Sequence, residues 1–230
     1  MIYITGDKHA DFIDVYYFCY RYKTSIKDTL IVLGDAGINY YCNELDNELK
    51  ESLTEYPITF FCIHGNHEER PENIKGYKKK RFHNGIVYYE DKYPNILFAK
   101  DGEIYDFNDK KVLVIGGAYS IDKYYRLQNG YRWYESEQPS NEIKMKILDI
   151  CDKDNNIDVV LSHTCPYKYI PREMFIPGVD QSKVDTSTEE FLDKIESKLN
   201  YKIWYCGHYH TDKKTDKIRF MFNDIDTFIE

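Results

Sequence analysis

Six cysteines are spread through 230 residues, and no two of them form a Cys-x-x-Cys pair. A structural zinc site of short-spaced cysteine pairs is thereby excluded. No disulfide framework is suggested either, so a reducing compartment is expected. Cys62 and Cys206 lie inside apolar runs, where a free thiol behaves as a small hydrophobe. No apolar run approaches the ~20 residues needed to span a bilayer. Met1 leads directly into the strand-like Ile2-Tyr3-Ile4, which leaves no room for a targeting peptide. The expectation is a cytoplasmic protein without membrane contact. Positive charge is short as well: 31 Lys and Arg face 39 Asp and Glu, for a net charge of −8. That balance argues against a nonspecific duplex-DNA binder, which needs Lys and Arg to displace counterions. Internal repeats and low-complexity linkers are missing, and one domain over residues 1–230 is expected.

What is present is a globular composition, 42% hydrophobic and 30% charged. Residues 1–5, Thr29 to Leu33 and Ile58 to Ile63 read as strands. Asp11 to Tyr22 and Cys42 to Thr54 read as helices, the second with Leu45, Leu49 and Leu53 four apart. Strand, motif, helix, repeated, predicts an α/β layered fold. Residues 69–84 turn polar, and Lys78 to Arg81 reads as a solvated loop or exposed helix. Short strands follow at Ile86 to Tyr89, Ile96 to Ala99, Glu103 to Phe107 and Val112 to Ile115. Asp101-Gly102 and Asn108-Asp109 are the expected hairpin turns. Residues 120–138 form an aromatic, charged insertion, and 164–187 a loop with three prolines. Helices are expected over Glu142 to Cys151 and Thr188 to Leu199, and strands at Val159 to Leu161 and Ile203 to Cys206. A closing hairpin is expected from Lys217 to Ile229.

Five fragments each close an apolar run and carry metal-ligating side chains. They are Gly6-Asp7-Lys8-His9, Gly34-Asp35-Ala36-Gly37, Gly65-Asn66-His67-Glu68, Ser162-His163 and Gly207-His208-Tyr209-His210. Any one of them alone reads as a turn, a core residue or a surface histidine. Together they hold five of the seven histidines. Carboxylate oxygen beside imidazole nitrogen suits a pair of transition-metal ions. Asp7 and His9 are two apart, as are His208 and His210, so on extended backbone each pair faces one side. Strand carboxyl ends are where open α/β sheets build their sites.

In this order the fragments resemble the calcineurin-like metallophosphoesterases over residues 6–210. The resemblance implies a four-layer α-β-β-α sandwich of two mixed sheets flanked by helices. It also implies a binuclear centre that hydrolyses phosphoesters, with Asp7, His9 and His210 on one metal and Asn66, His163 and His208 on the other. Asp35 would bridge the two ions. His67 is implied as the general acid that protonates the leaving oxygen, its plainer alternative being a residue that orients a ligand. Two divalent ions are expected, Mn²⁺ first and Fe or Zn next, because a mixed nitrogen and oxygen set does not discriminate among them.

The pattern departs from the protein serine/threonine phosphatases, which read Gly-Asp-x-x-Asp-Arg-Gly at the second block. Ile38 stands where an Asp would pair with the histidine, no Arg follows, and His64 occupies the place of another Arg. His64 itself could orient a group near the site, its plainer alternative being a packed or surface residue. Phosphate contacts are therefore sought in Arg126, in Arg70 and in the segment Gly116 to Ser120. The expected activity is that of a phosphomonoesterase on a phosphorylated protein or small molecule. A phosphodiesterase acting on cyclic nucleotides or single-stranded nucleic acid is the alternative. A non-catalytic scaffold should have lost ligands, and none is lost.

Overall fold

The computed structural model describes residues 1–228. Strands β1 (Ile2–Thr5), β2 (Thr29–Val32) and β3 (Thr59–Cys62) lie side by side and parallel. Parallel neighbours require crossovers, which α1 (Ile13–Tyr22) and α2 (Glu44–Thr54) supply. The Asn43 side chain caps α2 by accepting the Leu45 amide at 3.0 Å. These strands are apolar throughout because both faces are covered. Leu30 and Val32 pack with Phe12, Val15 and Leu53 beneath the helices, whereas Ile31 and Leu33 enter the core on the opposite face.

Strands β4 (Lys78–Phe82), β5 (Gly85–Glu90) and β6 (Tyr93–Ala99) extend this sheet beyond β3. The second sheet begins with the hairpin of β7 (Ile104–Phe107) and β8 (Lys110–Ile115). β9 (Val159–Ser162) and β10 (Ile203–Cys206) then add in parallel, followed by β12 (Ile218–Phe220) and, antiparallel at the edge, β11 (Lys213–Lys214). β13 (Ile225–Thr227) returns to the first sheet and pairs antiparallel with β1. The orders are β13-β1-β2-β3-β6-β5-β4 and β11-β12-β10-β9-β8-β7.

Between the sheets sit Phe61, Leu97, Tyr105, Phe107, Val114 and Leu161. Outside the second sheet, α4 (Asn141–Lys153) and α5 (Ser187–Lys198) bury Ile147, Cys151, Leu192 and Ile195 against Trp204. Each such large side chain contributes about 1.5–3 kcal/mol of apolar burial. The result is the expected four layers, two mixed sheets flanked by helices. A short helix, α3 (Lys123–Asn129), stands apart and has no buried residue.

Four expectations need correction. Lys78 to Arg81 is not a loop or helix but part of the edge strand β4, paired antiparallel with β5. There the ammonium groups of Lys79 and Lys80 lie 5.3 and 4.4 Å from the ring centres of Tyr88 and Tyr89, and a row of lysines discourages further strand pairing. Asp101-Gly102 carries the chain from one sheet to the other rather than closing a hairpin, whereas Asn108-Asp109 does turn β7 into β8. The tail is not a hairpin either, since β12 and β13 belong to different sheets; Ile229 lies outside the described residues. In α2 the buried face carries Asp46, Lys50 and Leu53, and Leu45 is exposed. All six cysteines are free thiols, and no helix among the described residues is long and apolar enough to cross a membrane.

Candidate metal centre

The carboxyl ends of β1, β2 and β3 in one sheet meet those of β9 and β10 in the other. Two carboxylates anchor the junction. Asp7 Oδ1 accepts the His208 amide at 2.9 Å, and Asp35 Oδ1 accepts the His67 amide at 2.8 Å. Each carboxylate leans on a glycine. A Cβ on Gly207 would lie 2.2 Å from Asp7 Oδ1, and one on Gly65 would lie 2.0 Å from Asp35 Oδ1. These glycines are required by close approach, not by backbone angle. His9, Asp35, His208 and His210 themselves have φ of 45°, 46°, 66° and 48°. Left-handed backbone at non-glycine residues is uncommon and gathers where surrounding structure enforces it, often at functional sites.

With one oxygen fixed, the other is directed inward. Asp7 Oδ2 is buried and has no well-formed hydrogen bond, with His210 Nε2 at 3.4 Å and His9 Nε2 at 3.8 Å. The two imidazole Nε2 atoms are 3.0 Å apart. A second group forms deeper, where Asn66 Oδ1 lies 2.8 Å from His163 Nε2 and 3.0 Å from His208 Nδ1. Asp35 Oδ2 stands 3.7 Å from His163 Nε2. Donor atoms of Asp7, Asp35 and His163 all fall within 4.8 Å of one another, which links the two groups. All seven expected ligands are thus brought together.

Whether these residues suit a cation is decided by His163. Its Nδ1 lies 2.7 Å from the Leu33 carbonyl, which only accepts, so Nδ1 carries the proton. The other nitrogen, Nε2, faces Asn66 Oδ1 at 2.8 Å. The Asn66 amide nitrogen donates to Ser120 Oγ at 2.9 Å, so the atom facing His163 is the amide oxygen. Held in this orientation, His163 presents Nε2 beside Asn66 Oδ1, and with Asp7 Oδ2 buried and unpartnered nearby the donor set fits a metal ion. Electrostatics agree. Burial, and then nearby His163, push His208 down to about 3, leaving it neutral and able to ligate. Burial by itself would raise Asp35, but His163, His67 and His9 hold it well below the carboxylate range. Asp7 is lowered too, with His163 and His210 outweighing its burial.

A cavity of about 540 Å³ opens over the two groups. His67 and Arg126 both line it. Arg126 Nη2 lies 3.4 Å from His67 Nε2, and its other nitrogens donate to Asp122 Oδ2 at 2.8 Å and the Tyr40 hydroxyl at 3.1 Å. A guanidinium only donates, so the resting His67 accepts at Nε2 and is neutral. Burial, aided by Arg126, lowers its proton affinity in the same direction. Sequence reasoning missed Asp122 and Tyr40, which hold Arg126, and only their nearness to quoted motifs hinted at them.

Arg70 is placed elsewhere. Its guanidinium is buried in an ion pair with Asp101 at 2.6 Å, donates to the Ser136 carbonyl at 2.9 Å, and lines a separate depression. The expectation of a phosphate contact there is corrected, because Asp101 already neutralises the charge. Gly116 to Ser120 is likewise not a phosphate cradle. The amides of Gly116, Gly117, Ala118 and Ser120 are taken by Asp101, His64, Glu137 and Glu137 again. The segment's contribution is Ser120, which sets the Asn66 amide, and Tyr119, which lines the cavity. His64 is a packed residue, buried with neither ring nitrogen hydrogen-bonded.

No curated protein matches the chain. Among solved structures, one chain superposes with a TM-score of 0.53 at 12% identity, over 96% of this chain and 88% of the other. That likeness concerns the fold alone. A protein of unknown function from Aquifex aeolicus aligns over 97% of this chain and 89% of its own at 14% identity, with a TM-score of 0.41, too low to argue from. The family described as calcineurin-like phosphoesterase matches residues 1–212, which include every strand-end motif described above. The chain belongs to the calcineurin-like phosphoesterase family.

Proposed function

We propose that the protein is a binuclear, metal-dependent phosphomonoesterase, and that the convergence of Asp7, His9, Asp35, Asn66, His163, His208 and His210 is its metal-holding floor. The observation that carries this reading is the buried, unpartnered Asp7 Oδ2 together with the adjoining Asn66 Oδ1 and His163 Nε2, beneath a cavity that also presents His67 and Arg126. Asp7, His9 and His210 would hold one ion and Asn66, His163 and His208 the other, with Asp35 between them. Two divalent ions, Mn²⁺ before Fe or Zn, would supply electrophilic charge and a water made acidic enough to attack phosphorus.

The chain's own residues do the rest. Arg126 turns from His67 to grip the phosphoryl oxygens, to which a guanidinium binds in bidentate fashion. Released from that contact, His67 takes up a proton and delivers it to the leaving oxygen as the bond to phosphorus breaks. The attacking water completes the balance, giving free phosphate and an alcohol.

The test is hydrolysis of mono-aryl and bis-aryl phosphates by wild type and His67→Ala, after stripping metal and adding Mn²⁺ back. Restored monoesterase activity is expected, with a mutant loss that is larger for poor alkyl leaving groups than for para-nitrophenol. Equal losses for both would remove His67 from the acid role. Preference for the bis-aryl ester would favour the diesterase, and a protein that takes up no metal would overturn the proposal.

A further inference from the structure

The cavity is far larger than a phosphoryl group, and its two halves differ in chemistry. One half is the polar floor with His67 and Arg126. The other is walled by Ile121, Ile170, Met174, Phe175, Ile176 and Val184, most of them from the segment between β9 and α5. Several are left open to solvent: Ile121 and Met174 are each 40% exposed and Ile176 58%. Large apolar side chains exposed together around a concave surface mark a binding site more often than chance scatter. Among the described residues no lysine lines the cavity, and Arg126 is its only arginine. Asp122, Asp185 and Glu189 add acidic residues to the lining instead. A second phosphate, a nucleic-acid backbone or an acidic peptide would meet no counter-charge there.

We propose that this half is a leaving-group pocket, which selects phosphoesters of uncharged, apolar alcohols. The inference rests on the phosphoesterase reading and adds the substrate class to it. The occupant is fixed by continuity: an ester whose phosphorus sits over the floor must extend its alcohol along the apolar wall or out into solvent. Burying that alcohol covers side chains that are otherwise exposed to water, so selectivity should grow with its apolar length.

The test uses the full-length, Mn²⁺-loaded protein and a series of n-alkyl phosphates from ethyl to octyl, whose leaving groups are almost equally basic. In the wild type kcat/KM should rise about two- to threefold per methylene, somewhat below the roughly fourfold of complete burial. Ending the chain in a carboxylate should abolish the gain. The double variant Met174→Ser, Ile176→Ser changes exposed positions and should fold, as thermal melting will verify, and its rise should be less than half as steep. Binding of the matching n-alkylphosphonates, followed by calorimetry, reads the pocket without turnover. Phosphonate affinity that grows with chain length supports the pocket even if no ester is hydrolysed, in which case only the activity reading falls. Hydrolysis with no dependence on chain length, or flat phosphonate binding, overturns the pocket.

Discussion

The floor of the cavity and its cover are built on opposite plans. The floor is made at the ends of five parallel strands whose neighbours are almost wholly buried, and its carboxylates are pinned by backbone amides. The cover consists of α3, with no buried residue, and of residues 164–187, whose regular structure is three short 3₁₀ turns. A rigid floor holds reacting groups at fixed distances, and a lightly anchored cover can change its side chains without disturbing them. In the proposed reading, chemistry and selectivity fall to separate parts of one site.

Floor substitutions should therefore injure both chemistry and metal uptake, and cover substitutions chemistry alone. Asp35→Asn is expected to have the largest effect, a fall in kcat on the order of 10³-fold, the scale of losing a central electrostatic group. Metal content measured on the same sample should drop with it; retention of two ions and activity within tenfold of wild type would remove Asp35 from the bridge. Gly65→Ala drives a methyl group into Asp35 Oδ1. It should cost about 1–3 kcal/mol of stability by denaturant titration and about 10²-fold in rate from displaced groups. Arg126→Ala tests the cover. A charge-assisted hydrogen bond contributes about 1.5–3 kcal/mol, so kcat/KM should fall by tens of fold. Loss of its bonds to Asp122 and Tyr40 should cost only about 1 kcal/mol of stability, less than Gly65→Ala. A matching loss of stability would erase the distinction between the two regions.

The smallest effect belongs to Glu189, which lines the cavity and accepts the Thr164 hydroxyl at 2.7 Å, while its other oxygen is buried without a partner. Burial raises it from 4.5 to about 7, and burial raises Glu68 to about 8. Both are carboxyls that gain a proton on folding between their ordinary and raised values. The native state binds more protons there, so stability declines as pH climbs from about 4.5 toward 8. Glu189→Gln should remove its share of that slope, on the order of 1–3 kcal/mol between pH 5.5 and 8.5. Identical slopes in urea titrations of variant and wild type would show that Glu189 does not titrate in this window.

The candidate ligands, which the fold brings together, were legible in the sequence because metal chemistry restricts donors to few residue types, and because each follows an apolar strand. Pairing partners were not. Nothing local in Asp101-Gly102 tells whether the chain turns back into the same sheet or crosses to the other. Arg70 and Arg126 both follow quoted motifs, and the difference between them is a carboxylate: Asp101 lies 31 residues from the first and Asp122 four from the second. Asp101 pairs with and buries Arg70, whereas Asp122 braces Arg126 at the cavity. The run of lysines in β4 looked like a solvated face, and it is one, on an edge strand whose identity depends on β5. For His64 the sequence left packed and surface placements open, and the fold buries it.

Asp7 and His210 meet across a gap of more than 200 residues, and β1 is completed by β13, which follows both. Neither half of the chain holds a usable pair of ligand groups by itself. During synthesis β1 must wait, unpaired on one side, until β13 has emerged. Contacts so distant in sequence form slowly. In the proposed reading the first metal is therefore captured only by a chain in which β1 and the turn carrying His208 and His210 have met.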